Sequence, residues 1–257
     1  MATLPNPLPR LAELGLRLPS GVLVDATDDG PWHEPLLWLA GGRAEPGEWT
    51  ALRQTAPRHG LLPVVLDVGQ GHGGPELWEL TPGGMSYPGD HDAEEVLEEF
   101  WDEYAEEDAD WAGLARTPHT PGAEPEAVAA DVVESLLDGG GPLKEPRLAL
   151  VPARRSADIP TAIGWMGPAN HENDTARLSA ILRSWEDRFG IRVVALGFDT
   201  LLVSVAAPPT TLAEAQALAA EHHAFCPDNV DQGNDPTFTA YAERQLLNRP
   251  AWFFWWD

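Results

Sequence analysis

The sequence contains one cysteine, Cys226, and one lysine, Lys144, among 257 residues. A single cysteine cannot close an internal disulfide, so a fold stapled by intrachain disulfides is excluded. Basic residues are scarce, 16 against 41 acidic ones, which gives a formal net charge of -25. This charge argues against a general nucleic-acid binder, because phosphate backbones require a basic face, and it argues equally against an anionic membrane surface.

Long hydrophobic runs are also missing. The most apolar stretch, Val193–Ala207, is interrupted by Asp199, and Met1–Leu18 carries prolines where a signal peptide needs an apolar core. Hydrophobic residues nevertheless make up 43% of the chain, which is enough for a packed core. We therefore expect a soluble cytoplasmic protein with no membrane segment.

The acidic residues are unevenly distributed. Residues 1–146 contain 28 acidic and 7 basic side chains, whereas residues 147–257 contain 13 and 9. Between Asp90 and Asp110, 12 of 21 positions are acidic and none is basic. Apolar residues recur there at helical spacing, which predicts an amphipathic helix with an aromatic stripe and an anionic face. The stripe consists of Leu97, Phe100, Trp101, Tyr104, Trp111 and Leu114.

Two functions fit this anionic face. It is either a solvated surface that keeps the protein in solution or a docking surface for a basic protein partner. The candidate partner-binding residues are Glu95, Glu99, Asp102, Glu103 and Glu106. A calcium loop is not indicated, because the run lacks alternating ligands and a central glycine.

Composition and periodicity predict two α/β-type regions in an α+β protein. An acidic N-terminal region, 1–115, is followed by a proline- and glycine-rich linker with one short helix, 116–146, and by a C-terminal α+β domain, 147–257. In the C-terminal domain we predict strands at 147–151, 161–165, 191–196, 200–206 and 252–256. The third and fourth are close enough in sequence for an antiparallel hairpin, and the last is apolar on both faces, so we expect it to be covered on both sides. Helices are predicted to begin at the caps Asp174, Thr211 and Asp235, and Thr211 and Glu214 are spaced as a capping box. The strand-helix-strand-strand-helix-strand order favours a ferredoxin-like topology, with most of the 11 tryptophans in the core.

Several C-terminal motifs resemble a known family. They are Gly164-Trp165, the stretch from Leu182 to Gly190, the stretch from Val205 to Pro209, the stretch from Ala220 to Asp228, and the closing Trp252–Asp257. Together they resemble a bacterial family, frequent in actinobacteria, that is known as domain of unknown function 4253. The resemblance spans about Leu148 to Asp257 and implies a cytoplasmic bacterial protein, but it implies no reaction.

The densest cluster of reactive side chains is Glu221-His222-His223 followed by Cys226. A thiol at the start of a new turn, with a histidine base nearby, is typical of a nucleophile, so Cys226, His222 and Glu221 are the candidate catalytic residues. The four-residue spacing of His222 and Cys226 also suits zinc, but Pro227 breaks the helix there and no further ligand follows at metal spacing. The alternative is a hydrogen-bonded core histidine beside an inert buried thiol.

A second candidate lies in the loop 164–174. Loops of this kind line ligand sites, and Arg155 is close by in sequence, so Arg155, Trp165, Asn170 and His171 form a candidate small-molecule pocket. The alternative is a plain connection that ends in a helix cap. The sequence Gly69–Gly74 matches the G-x-G-x-x-G dinucleotide-binding pattern, but Pro75 follows it instead of a helix, so we expect no cofactor. The remaining histidines, His33, His59, His91 and His119, show no ligand spacing, so we assign no metal ligands.

These observations favour a non-enzymatic interaction module that binds a basic protein through its anionic region, with immunity against a basic toxin as one concrete version. The alternative is a small-molecule-binding or metal- or thiol-dependent enzyme centred on His171, His222 and Cys226.

Overall fold

The protein is described from a computed structural model, and the described residues are 5–104, 110–117, 122–139, 141–235 and 237–257. The strands are β1 Gly21–Val24, β2 Ala26–Thr27, β3 Gly30–Pro31, β4 Leu37–Ala40, β5 Leu61–Asp67, β6 Pro146–Pro152, β7 Arg192–Leu196, β8 Thr200–Ser204 and β9 Ala251–Trp255. The helices are α1 Glu48–Thr55, α2 Ala93–Tyr104, α3 Pro125–Leu137, α4 Ile159–Ile163, α5 Thr175–Phe189, α6 Leu212–Phe225, α7 Asp228–Asp231 and α8 Phe238–Tyr241. A π-helical turn, Ala242–Leu246, continues α8.

Seven strands form one mixed sheet in the order β1-β4-β6-β5-β7-β8-β9, while β2 and β3 form a small separate hairpin. Among the described strands, β5 and β7 run parallel and the other neighbours in the sheet are antiparallel. The centre of the sheet is β5, whose seven residues are all buried. Its sequence is apolar from Leu61 to Leu66, which suits a strand that is covered on both faces.

Helices cover both faces of the sheet. On one face, α1, α3 and the N-terminal 3₁₀ segment Leu8–Glu13 pack over Val65, Leu148 and Val194. On the other, α2, α4, α5 and α6 pack over the opposite side chains of the same strands. Tryptophans from both layers lie in the core, including Trp49, Trp165, Trp185 and Trp256, which confirms the prediction that tryptophan mainly fills the interior.

Local sequence signals set several element ends. Asp174 caps α5 by accepting a hydrogen bond from the Ala176 backbone N–H at 3.1 Å, and Gly190 ends the helix with φ of +63°. Thr211 and Glu214 form the predicted capping box at the start of α6. The hairpin of β7 and β8 is also confirmed.

The α+β class and the predicted C-terminal order of strands and helices along the chain are confirmed. The spatial arrangement differs from a ferredoxin-like sheet, because β5 of the N-terminal region lies between β6 and β7. Strands from 1–115 and from 147–257 therefore share one sheet. The linker helix forms as α3 and packs on β7 and β8. The division into 1–115, 116–146 and 147–257 stays a prediction about folding units.

Three local predictions were wrong. The strand predicted at 161–165 does not form, because its first three residues belong to helix α4. Pro160 suits the first turn of a helix, and Gly164 ends the helix with φ of +67°. The cap of α8 is Thr237 instead of Asp235, and Pro236 lies outside the described residues. The terminal strand forms as β9 but is an edge strand that leaves Phe253 43% exposed, so it is not covered on both sides.

In the part of the chain that the structure describes, no helix is both long enough and apolar enough to cross a membrane.

Candidate functional site

The anionic segment forms helix α2. Asp92 starts it, because its carboxylate accepts hydrogen bonds from the backbone N–H groups of Glu94 at 2.9 Å and Glu95 at 3.2 Å. Four apolar side chains then face the core, namely Val96, Leu97, Phe100 and Trp101. The predicted stripe is helical as far as Tyr104. Trp111 and Leu114 lie in a non-helical segment, where Trp111 still packs against Trp101 with ring centroids 5.8 Å apart.

The predicted partner-binding carboxylates differ in their surroundings. Glu99 forms an ion pair with Arg177 and is thereby partly neutralised. Glu95, Asp102 and Glu103 are exposed, and no described arginine or lysine forms an ion pair with them. Glu106 lies outside the described residues. The exposed face of α2 therefore keeps most of its negative charge.

Tyr104, at the end of α2, connects this helix to the loop 164–174. Its hydroxyl donates a hydrogen bond to the His171 backbone oxygen at 3.4 Å, and the two rings meet edge to face at 5.3 Å. Burial, followed by the neighbouring Glu103 carboxylate, raises the pKa of Tyr104 to about 12, so the phenol stays protonated at neutral pH.

Glu221 is fully buried and belongs to an internal ion pair. Arg188 binds it with both ends of its guanidinium, at 2.8 and 2.5 Å, and the Trp185 indole N–H donates to it at 2.7 Å. The backbone of Ala115 makes two further hydrogen bonds with this pair. Its N–H donates to Glu221 at 2.7 Å, and its carbonyl accepts from Arg188 at 2.8 Å. The pair thus fixes the segment that follows the acidic region onto α5 and α6. With its oxygens engaged in this way, Glu221 is a structural anchor.

His222 is buried in an aromatic cluster. Trp185, Trp252 and Phe254 surround its ring with centroids 4.7 to 5.0 Å away. Its Nδ1 lies 3.0 Å from the Tyr241 hydroxyl, and its Nε2 has no hydrogen-bond partner among the described atoms. Burial lowers the pKa of His222 to about 3, which keeps the imidazole neutral.

Cys226 follows α6 directly and is fully buried. Its backbone N–H donates to the His222 oxygen at 2.9 Å, and its thiol contacts the Trp255 oxygen at 3.0 Å. Burial raises the pKa of Cys226 well above its ordinary value, so the thiolate that a nucleophile requires is not favoured. The helix break predicted at Pro227 is present, and α7 begins there.

The predicted ligand residues do not form one open pocket in the described structure. Arg155 pairs with Glu186 and Asp187 on α5. Trp165 is buried and donates its indole N–H to the oxygens of Gly197 at 2.9 Å and Phe198 at 3.1 Å. The Asn170 amide donates to the Asp257 backbone oxygen. Each of these groups is thus engaged within the protein.

His171 pairs with Asp228, a residue that the sequence analysis did not assign to any site. His171 Nε2 lies 3.0 Å from Asp228 Oδ2, which also accepts the Asp257 N–H at 3.0 Å. A small cavity beside the pair is lined by Phe100, Tyr104 and Trp256 among others, and it has room for about one water molecule. The arrangement orients the imidazole but offers no space for a substrate. His171 and Asp228 are 57 positions apart in the sequence, so no short spacing pattern indicates the pair.

The residues of the enzyme hypothesis are therefore engaged with separate partners inside the protein. Glu221 faces Arg188, His222 faces Tyr241, and His171 is held by Asp228. The described residues also contain no group of three or more His, Cys, Asp or Glu side chains placed to hold a metal ion.

The described chain is an α+β protein with one mixed sheet between two helical layers. Residues 147–257 match the model of a family described as Domain of unknown function (DUF4253), which confirms the resemblance of the C-terminal part. The match covers β6 to β9 and leaves out β5, the strand that joins them in the sheet. No curated protein and no solved structure matches the chain.

Proposed function

We propose that the protein is a non-enzymatic interaction module that binds a basic protein through the exposed face of α2. Immunity against a basic toxin is one concrete version, and it suits a cytoplasmic bacterial protein. The observation that carries the proposal is the exposed row of Glu95, Asp102 and Glu103, which have no ion-pair partner among the described residues.

The ion pairs that arginines form outside α2 support this proposal. Arg155, Arg183 and Arg188 pair with carboxylates of the C-terminal half, so they do not neutralise the α2 face. A surface of one sign raises the association rate of an oppositely charged protein by long-range attraction. The core side chains of α2 fix the helix to α5 and α6, which keeps the charged face in one orientation.

The test is affinity capture of a basic partner from a lysate of the source organism, followed by titration of the captured protein. The test variant combines Glu95→Gln, Asp102→Asn and Glu103→Gln. The matched control, Asp131→Asn, Asp138→Asn and Glu243→Gln, removes the same number of exposed charges from other places. The control is needed because any loss of three negative charges weakens attraction to a cation.

We expect the test variant to lose about tenfold or more in affinity at about 50 mM salt, and the control to lose much less. Wild-type binding is expected to weaken at about 500 mM salt. Equal losses in the two variants, or binding that ignores salt, would contradict docking on α2.

The alternative function is a small-molecule-binding or metal- or thiol-dependent enzyme. The observation that favours it is the hydrogen bond by which the Asp228 carboxylate orients the His171 imidazole, although the cavity beside the pair would have to open to admit a substrate. Metal analysis of the purified protein and thiol titration of Cys226 across pH test it. We expect a thiol that reacts only after unfolding, because burial raises its pKa. Rapid labelling of the native protein near pH 7 would support the enzyme instead.

A further inference from the structure

The two edges of the main sheet are treated differently. At β9, the Asn229 side chain occupies the outer edge, since its amide donates to the Phe253 oxygen at 2.6 Å and accepts from the Trp255 N–H at 3.0 Å. This side chain replaces a neighbouring strand and closes the edge. At the opposite end, β1 has β4 as its neighbour in the sheet and no such cover among the described residues.

The register shows which backbone groups of β1 are free. The Gly41 N–H donates to the Ser20 oxygen at 2.8 Å, and Val22 pairs with Leu39 two residues further on. Hydrogen-bonded pairs alternate along an antiparallel ladder, so Ser20, Val22 and Val24 point their backbone groups towards β4. The N–H and C=O groups of Gly21 and Leu23 therefore point outward, and no described residue bonds to them.

Apolar side chains accompany this free edge. Val22 is 60% exposed and Leu23 is 43% exposed, and the two lie on opposite faces of the strand. A groove of about 400 Å³ runs beside the strand, with Val22, Val24 and Leu39 among its apolar lining. An added strand would thus find both backbone partners and side-chain contacts here.

The charge of the groove selects the occupant. Asp25 and Glu76 line it and have no ion-pair partner among the described residues, whereas Arg147, which also lines it, is paired with Glu145. Asp28 and Asp29 are exposed in the turn between β2 and β3, shortly after β1. A ligand segment that carries lysine or arginine beside apolar residues is complementary to this groove. A second copy of the chain would bring another net charge of -25 to the same edge.

We propose that β1 is an acceptor edge on which an extended, basic segment of a partner protein adds an eighth strand to the sheet. The inference rests on the proposed function for the positive charge of the partner, but it uses a surface other than α2. Main-chain hydrogen bonds to Gly21 and Leu23 would give affinity, and the apolar groove with Asp25 and Glu76 would select alternating apolar and basic side chains.

The probe is a synthetic hexapeptide of alternating lysine and valine, titrated onto the full chain by fluorescence anisotropy. Its control is the same peptide with N-methyl groups on alternate backbone amides, which lie along one edge of the extended peptide. The methyl groups keep the charge and the side chains but remove the N–H donors of that edge. We expect the methylated peptide to bind about tenfold more weakly, because a strand addition depends on its main-chain bonds.

On the protein side, Leu23→Pro removes the outward N–H without touching the bonds to β4, and Leu23→Val keeps that N–H. We expect Leu23→Pro to reduce peptide affinity about tenfold and Leu23→Val to leave it nearly unchanged. Should Leu23→Pro fail to fold, the methylated peptide still tests the main-chain requirement on the wild-type protein.

The outcomes separate this inference from the proposed function. Equal binding of both peptides, or loss of peptide affinity in the α2 variant but not in Leu23→Pro, would overturn the β1 site and leave docking on α2 intact. A wild-type dimer in sedimentation velocity that Leu23→Pro dissociates would overturn the basic partner in favour of a second copy. A peptide loss specific to Leu23→Pro, with α2 variants unaffected, would support β1 even if docking on α2 fails.

Discussion

At the scale of single residues, the contribution of an ion pair to stability depends on whether the pair is buried or exposed. Arg188 and Glu221 share a buried site where Ala115, Trp185 and Ser184 supply the other hydrogen bonds of the pair. Removal of one partner leaves a charge without compensation in a medium that solvates it poorly. Arg177 and Glu99 lie at the surface, where water replaces a lost partner.

We therefore expect Arg188→Met to lower the free energy of unfolding by about 3 kcal/mol, and Glu99→Gln to change it by less than about 1 kcal/mol. Urea denaturation monitored by tryptophan fluorescence measures both. A loss below about 1 kcal/mol for Arg188→Met would show that the buried site admits water or rearranges.

His222 links stability to pH. The folded-state pKa of about 3 lies below the ordinary value of 6.5, so between these values the unfolded chain binds a proton that the folded chain does not. Stability must then fall as the pH decreases through this window, by up to about 1.4 kcal/mol per pH unit from this residue.

We expect the His222→Phe variant to have a shallower dependence of unfolding free energy on pH between about pH 4 and about pH 6, by about one proton. Loss of the hydrogen bond to Tyr241 lowers stability at every pH and leaves the slope unaffected. Identical slopes for wild type and variant would mean that the folded protein protonates His222 in place.

At the scale of elements, the Asn229 side chain makes the hydrogen bonds that a neighbouring strand would make with the outer edge of β9. Asn229→Ala leaves the Phe253 oxygen and the Trp255 N–H without their partner. We expect it to lower the free energy of unfolding by about 2 kcal/mol and to promote self-association through the opened edge. Denaturation and sedimentation velocity measure the two effects.

Asn229→Asp provides the graded control, because it keeps the acceptor for Trp255 and loses the donor to Phe253. Because the new carboxylate oxygen would face the Phe253 oxygen, this variant is expected to be less stable than wild type at neutral pH and to regain stability as the carboxylate is protonated. A variant Asn229→Ala that is as stable as wild type would show that water satisfies the edge equally well.

Element ends were predictable where one side chain sets them. Asp174, Gly190, Thr211 and Glu214 act within one helical turn, so their effect is visible in a short sequence window. The strand predicted at 161–165 failed because a short apolar run fits helix and strand alike, and Pro160 decided for the helix. The exposure of Phe253 could not be predicted for a similar reason. Five consecutive apolar residues do not indicate which face of the strand is exposed to water.

The site was less predictable than the fold. The spacing of Glu221, His222 and Cys226 indicated chemistry, but burial decides whether that chemistry is available, and burial depends on residues distant in sequence such as Tyr241 and Trp252. The insertion of β5 between β6 and β7 is likewise non-local, because both pairings join segments more than 70 residues apart. The acidic face of α2 was predictable, since helical periodicity and charge are both local.

At the scale of the whole molecule, the net charge of -25 opposes compactness, whereas the internal arginine pairs favour it. Added salt screens the long-range repulsion between exposed carboxylates more than it screens short, partly buried pairs. We therefore expect Tm to rise by a few degrees between about 10 mM and about 300 mM sodium chloride, and to rise less in the α2 variant with three neutralised carboxylates. Differential scanning calorimetry measures this, and a Tm that falls with salt would show that ion pairs outweigh repulsion.

The position of β5 has a consequence for the part of the chain that the family match delimits. Residues 147–257 supply strands on both sides of β5 but not the strand itself. A polypeptide cut at residue 147 would present two bare flanks to the gap left by β5, along Leu148–Val151 and Val194–Leu196, and a third along Ala149–Leu150, where β4 pairs with β6. In this chain the matched segment is completed from outside its own bounds, since β5 supplies the central ribbon and β4 the outer neighbour of β6.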